Sequence, residues 1–278
     1  MIAAPRFDDF EVRPGSATSL VRTVVGVFLR DLGGSITSAE LVRLLDAAGV
    51  SPAHARTAIT RVKDKGLLLS DTVDGQPGYR LNPDAVPALG RGDRRIYRYR
   101  QQGETERWCL VSFSVPESLR DARHQLRKRL AFIGCGTVAH GLWIAPGHLL
   151  GEVEGILDEL ELREAATVFL TENPRTPGTL AEAAATWWDL DRIADLHRGF
   201  LAATDSIDHT DAAAAVRDPR DVFACYVTAV DEWRILPYVD PGLPPSMLPA
   251  DWPGHAAVAR FDAIRAHFEA PARAFVGL

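Results

Sequence analysis

The chain has 278 residues, 46% of them hydrophobic and 24% charged, the make-up of an ordinary water-soluble protein of two or three domains with a sizeable core. Its net charge of −6 is unevenly spread: residues 1–150 hold 21 Lys and Arg against 15 Asp and Glu, residues 151–278 only 10 against 22, so the amino half suits a polyanion and the carboxyl half repels one. No apolar run nears the roughly 20 residues that span a bilayer, the opening Arg6, Asp8, Asp9 and Glu11 suit no signal peptide, and Cys109, Cys135 and Cys225 fit neither a disulfide framework nor a zinc site, so a cytoplasmic protein is expected.

Residues 1–17, with Pro5, Pro14 and Gly15, are expected to form a loose arm. Thr18 to Leu32 then reads as a helix whose Leu20, Val21, Val24, Val25, Phe28 and Leu29 face inward. Ser35 to Val50 reads as a second, short helix closed by Gly49. Ser51-Pro52 restarts the chain, since Ser is a preferred cap and Pro at the first helical position loses no hydrogen bond. The new helix carries Ala55, Ala58, Ile59 and Val62 on one stripe. Its other face shows His54, Arg56, Thr57, Thr60, Arg61 and Lys63, donors suited to phosphates and base edges. Gly66 ends it, and Leu67-Leu68-Leu69, the turn Asp74 to Gly78 and Tyr79-Arg80-Leu81 predict a hairpin wing. Residues 18–90 are thus expected to be a winged helix-turn-helix that binds double-stranded DNA, with Arg80 reaching a backbone phosphate. Arg56 or Arg61 suits bidentate pairing with guanine, a phosphate contact or an ion pair with Asp64.

The Pro- and Gly-rich stretch 82–92 marks a boundary, and residues 91–106 form a basic bridge. Its Arg91, Arg94, Arg95, Arg98 and Arg100, interleaved with Tyr97 and Tyr99, suit either a nucleic-acid backbone or a β-like linker, and the linker is favoured. Over 107–172 the rhythm is βαββαβ: Trp108 to Val115, a helix Ser118 to Phe132 with a basic face of Arg120, Arg123, Arg127, Lys128 and Arg129, strands Cys135 to His140 and Leu142 to Ile144, a helix Pro146 to Leu162, and a strand Ala166 to Leu170. That order predicts a ferredoxin-like domain. Residues 173–278 read as a helical carboxyl domain, with helices Leu180 to Ala203, Pro219 to Leu236 and His255 to Phe268. The fold class is therefore α+β and multidomain.

No catalytic constellation emerges. The histidines show neither metal-ligand spacing nor a nucleophile beside them, and Asp191, Asp195 and His197 read as a solvated acidic face rather than a metal site. No cofactor is expected.

The run Asp231-Glu232-Trp233-Arg234-Ile235-Leu236-Pro237-Tyr238-Val239-Asp240-Pro241-Gly242-Leu243-Pro244-Pro245, followed by Leu248-Pro249-Ala250-Asp251-Trp252-Pro253-Gly254, resembles the PaaX family of bacterial transcriptional regulators. Arg56 to Val62 with Gly66-Leu67 is similar to the family's recognition helix, and Trp108 to Pro116 with Gly141 to Pro146 to its middle domain. The resemblance covers nearly the whole chain. It implies a homodimeric repressor of a catabolic operon, released from its operator by an acyl-coenzyme A such as phenylacetyl-coenzyme A. Such an ester needs cations for its phosphates and an apolar slot, which Arg192, Arg198, Trp233, Arg234, Tyr238 and Trp252 would furnish, although Trp187, Trp188 and Trp233 equally suit plain core. A regulator with a non-thioester ligand, or with none, is the alternative. The middle domain also resembles the small nuclease-fold protein of CRISPR spacer acquisition. Ser114 stands where that nuclease needs an Asp for its metal, and Glu117 lies beyond Pro116, so enzymatic activity is not expected.

Overall fold

A computed structural model describes residues 13–172, 174–207 and 218–278; most of the expected arm, residues 1–12, lies outside them, as does His209. The chain divides into two compact units. One comprises residues up to Arg98 with Arg198–Ile235 and His255–Leu278, the other Tyr99–His197 with Leu236–Gly254.

In the first unit, α1 (Ala17–Val24) is capped by Ser16, whose side chain accepts from Ser19 N, and a π-helical turn, Val25–Leu29, extends it. The stretch just before α1 is held rather than loose, because Gly15 N–H donates to Asp231 at 2.7 Å. Ser35–Thr37 forms strand β1, not the start of a helix: it pairs with the hairpin through Ile36↔Tyr79, and Thr37 then caps α2 (Ser38–Ala47) by accepting from Glu40 N. Gly49 (φ +85°) reverses the chain before α3 (Pro52–Asp64), and strands β2 (Leu68–Val73) and β3 (Gln76–Leu81) follow. The turn between them is only Asp74-Gly75, shorter than expected. Both residues have positive φ, the two-residue geometry whose twist matches antiparallel strands, so β3 begins at Gln76. The sheet order is β1-β3-β2.

Gly78 on β3 is a close-approach position: a Cβ there would lie 2.6 Å from the Ile36 carbonyl oxygen and 2.8 Å from Val73 Cγ2. Gly78→Ala is expected to cost about 1–3 kcal/mol of stability through this clash, read as a lower urea midpoint at unchanged slope.

Residues 86–97, which include part of the expected linker, form helix α4 (Val86–Tyr97). Its Pro87 stands in the first turn, where the missing N–H costs nothing, so proline opens this helix instead of marking a loop. The core of this unit draws on distant sequence. Phe28 lies 5.6 Å from Phe223 and 6.3 Å from Tyr226, both on α9 (Pro219–Trp233; α7 and α8 are given below). Trp233 stacks on Phe261 of α10 (Gly254–Phe275) at 4.8 Å.

The second unit holds β4 (Trp108–Phe113), α5 (Arg120–Phe132), β5 (Gly136–Ala139), β6 (Leu142–Pro146), α6 (Leu150–Glu159) and β7 (Ala166–Thr171). All strand pairs are antiparallel and the order is β5-β6-β4-β7, the ferredoxin-like arrangement. Cys109, Val111 and Phe113 turn one sheet face toward Leu126, Leu130, Val153 and Leu157 of α5 and α6. The opposite face, with Trp108 and Ile144, packs on Ala184, Trp188, Ile193, Leu243 and Trp252. One helix was expected over Leu180 to Ala203, but two form: α7 (Leu180–Trp187) and α8 (Leu190–Ala203). Trp188 between them is extended (φ −121°, ψ 145°) because its indole is drawn onto the sheet, where Nε1 donates to Gly134 O at 2.8 Å. Asp189 then caps α8, accepting from Arg192 N. No helix among the described residues is long and apolar enough to cross a membrane.

Candidate nucleic-acid interface

Helix α3 has two contrasting faces. Ala55, Ala58, Ile59 and Val62 are buried, each 2% exposed or less, and seat the helix against its own unit. His54, Arg56, Thr57, Thr60 and Arg61 are exposed on the other side, and Lys63 is half-buried. The local hydrogen bonds order this face: Thr57 donates to Ala53 O (3.3 Å), Thr60 to Arg56 O (3.0 Å), and His54 Nδ1 meets Ser51 Oγ at 3.0 Å. Arg56 reaches only the Pro52 carbonyl, at 3.4 Å. Neither Arg56 nor Arg61 forms an ion pair with Asp64, so that alternative falls away and both guanidinium groups face solvent. Arg80 on β3 is exposed and only loosely attracted to Asp71, at 4.0 Å.

The other basic stretches are largely committed within the protein. On α5, Arg123 pairs with Glu117 and Arg129 with Glu159, each at 2.7 Å, while Arg127 donates to His140 O at 2.8 Å. The tyrosines of the basic bridge turn inward. Tyr97 stacks on Phe261, carries the Arg265 guanidinium 4.9 Å over its ring, and has its phenol pushed up to about 12 by burial. Tyr99 donates to Asp240 at 3.1 Å.

The six expected effector residues are divided between the two units. Arg198, Trp233 and Arg234 belong to the first unit and Arg192, Tyr238 and Trp252 to the second. Arg192 and Arg198 are exposed. Trp233 is core, its indole N–H donating to Ile96 O, and Trp252 is buried edge-on to His197. Tyr238 stacks on Phe132 at 4.9 Å. Arg234 lies 6% exposed and donates to Asp231 (3.2 Å) and Ser19 Oγ (2.8 Å).

Two carboxylates in the 231–242 run were passed over in the sequence. Asp231 is fully buried and accepts from Gly15 N, Ser19 Oγ (2.7 Å), Thr23 Oγ1 (2.6 Å) and Arg234, so it fastens α1 to α9. Asp240 accepts from His197 Nε2 (2.7 Å), Tyr99 and Gly242 N. A signal for Asp231 was present: it stands four residues after Val227, on the apolar stripe of its helix, where a charge requires partners. His197 is buried against Asp240 while Asp191 and Asp195 are exposed, and no group of three His, Cys, Asp or Glu with metal-binding geometry occurs among the described residues. Ser114 is exposed at the end of β4.

Beside Asp231, burial and the neighbouring carboxylate push the Glu232 carboxyl above its ordinary value of 4.5, against the pull of Arg13 and Arg234. Its contribution to stability is therefore best below pH 4.5 and is lost as pH rises through the raised value. Glu232→Gln is expected to raise stability slightly at pH 7, by less than about 1 kcal/mol, and to give no advantage at pH 4. Thermal unfolding at the two pH values checks this.

The architecture defines a class: a mixed α+β protein that carries a ferredoxin-like domain between segments of a separate, mainly helical unit. Residues 16–85, 101–184 and 188–277 match three family profiles, described as "PaaX-like protein", "PaaX protein central Cas2-like domain" and "PaaX-like protein C-terminal domain". The chain belongs to the PaaX family. It is 26% identical over 248 residues to the transcriptional repressor PaaX of Escherichia coli K12, a match that covers 88% of this chain and 78% of that one. Its fold is similar to that of an uncharacterized protein from Mycobacterium tuberculosis, with a TM-score of 0.60, 22% identity, and coverage of 95% of this chain and 99% of that one.

Proposed function

We propose that the protein is a DNA-binding transcriptional repressor in which α2, α3 and the β2–β3 hairpin act as a winged helix-turn-helix. The single observation that carries this reading is the division of α3: one face fully buried, the other an exposed array of Arg56, Thr57, Thr60, Arg61 and His54 with no carboxylate among the described residues paired to either arginine. A helix of 13 residues is about 20 Å long, which suits insertion into a major groove. Arg80 on the wing, exposed, would contact a backbone phosphate. Kinship to a transcriptional repressor supports the same direction of control.

Release of the operator by an acyl-coenzyme A ester, and control of a catabolic operon, belong to this proposal and rest on family membership. Of the expected effector residues, Arg192 and Arg198 on α8 present exposed guanidinium groups, the chemistry that coenzyme A phosphates require. The test is a titration of the intact protein against DNA from upstream of its own gene, at two salt concentrations, with and without phenylacetyl-coenzyme A. Tight, salt-sensitive binding lost on adding the ester upholds the whole proposal. Binding indifferent to the ester keeps the repressor and removes the effector, and no specific binding overturns the reading.

A further inference from the structure

Several arginines of the first unit are held by carboxylates: Arg30 by Asp93, Arg265 by Glu269, Arg273 by Asp31, and even the exposed Arg220 by Asp46. Arg91, Arg94 and Arg98 are different. All three are exposed, and no hydrogen bond or ion pair engages them among the described residues. In this they match Arg61 of α3.

The three form one row. Residues 91, 94 and 98 recur at intervals of three and four, so they share a stripe of α4 and its end. The opposite stripe seats the helix: Leu89 lies beside Gly26, Asp93 binds Arg30, the Ile96 carbonyl accepts from Trp233 Nε1, and Tyr97 stacks on Phe261. Asp93 is the one acid within Val86–Tyr97, and Arg30 engages both of its oxygens, so the row carries no counter-charge from its own helix. The start of α4 is fastened beside the end of α3. Asn82, which caps the turn leading into α4, donates from Nδ2 to Gly66 O at 2.7 Å and from its backbone N–H to Leu67 O at 3.0 Å. The row thus continues directly from the root of the wing.

We propose that Arg91, Arg94 and Arg98 form a second DNA contact, holding the phosphate backbone of the duplex outside the bases that α3 reads. This rests on the repressor reading and adds a surface to it. A row from residue 91 to residue 98 is about 10 Å long, the axial rise of about three base pairs. Guanidinium groups match phosphate oxygens in charge and geometry. Between Arg91 and Arg98 the exposed stripe holds no aromatic or large aliphatic side chain, so it offers neither a stacking platform for bases nor the apolar centre of a protein interface. A polyanion held by its backbone is the partner that remains.

Titration of the full chain over a range of salt concentrations tests the proposal, on DNA from upstream of its own gene and on unrelated duplex of equal length. R91Q/R94Q/R98Q is expected to bind both DNAs more weakly by the same factor, about tenfold or more at low salt. The slope of log affinity against log salt is expected to fall by about two to three, at about 0.9 for each lost phosphate contact. R91K/R94K/R98K, which keeps the charge, is expected to retain the slope. Unchanged affinity and slope in the glutamine variant overturn the contact, and so does a loss confined to the upstream DNA, which would mean base readout. A lower melting temperature with an unchanged slope also overturns it, because the arginines would then serve only the carboxyl end of their own helix. A variant that binds DNA normally but is no longer released by phenylacetyl-coenzyme A would give the row to a phosphate-bearing ligand and remove it from DNA. Should the triple glutamine variant fail to fold, Arg91→Gln alone, farthest from the helix end, is expected to lower the slope by about one and decides. If the unaltered protein binds neither DNA, the repressor reading and this contact fall together. If Arg61→Ala weakens binding while the glutamine variant does not, this contact falls alone.

Discussion

Arg61→Ala is expected to weaken operator binding by about 1–3 kcal/mol, about fivefold to more than a hundredfold, while leaving the melting temperature unchanged. The side chain is exposed and makes no ion pair with Asp64, so its removal leaves no buried charge without a partner and opens no cavity. Two readouts separate its possible partners. If Arg61 pairs with guanine, affinity falls for the operator but little for unrelated DNA. If it contacts a phosphate, affinity falls on all sequences and the dependence on salt drops by about one counterion. Unchanged binding on both kinds of DNA would remove Arg61 from the interface. Arg56→Ala is the natural companion, since its guanidinium reaches only the Pro52 carbonyl, a weak tether that DNA can replace.

Asp231→Ala is expected to be the most damaging single substitution, with a loss of about 3–5 kcal/mol. The carboxylate accepts four hydrogen bonds, from Gly15, Ser19, Thr23 and Arg234, and it lies fully out of solvent. Its removal takes from the buried Arg234 cation the carboxylate it is paired with and frees the end of α1 from α9. The double variant D231A/R234M is expected to be less destabilised than Asp231→Ala alone, because the cost lies mainly in the unpaired charge. Urea unfolding of the two variants checks this. Equal stability would mean that the carboxylate acts through Ser19 and Thr23 rather than through Arg234. Since α1 packs beneath α3 in the same core, partial loss of Asp231 is also expected to weaken operator binding without any change on the α3 surface.

The contrast between these two positions shows what was legible in the chain. The buried and exposed stripes of α3 were written in a local period of three and four residues, with Ser51-Pro52 and Gly66 as its ends, so helix, orientation and candidate contacts all followed from sequence. The βαββαβ order was equally local, because each strand is a short apolar run closed by Pro or Gly. Strand β1 escaped notice because three residues hold no period, and only pairing with Tyr79 across the fold makes Ser35–Thr37 a strand. Helix α4 escaped because its proline, glycines and arginines read as boundary and linker until Tyr97 met Phe261 and the Ile96 carbonyl met Trp233.

By itself the sequence determined the periodic elements, the charged face of α3 and the family, since these depend on residues within a few turns of one another. The tertiary structure alone decided that Arg198–Ile235 and His255–Leu278 complete the core begun by α1, α2 and α3, and that Trp188 interrupts a helix to cover a sheet. It also decided the partners of Asp231 and Asp240. The physical reason is the same in each case. Burial and pairing are set by groups far apart along the chain, and a charge reveals its role only once its distant neighbours are in place.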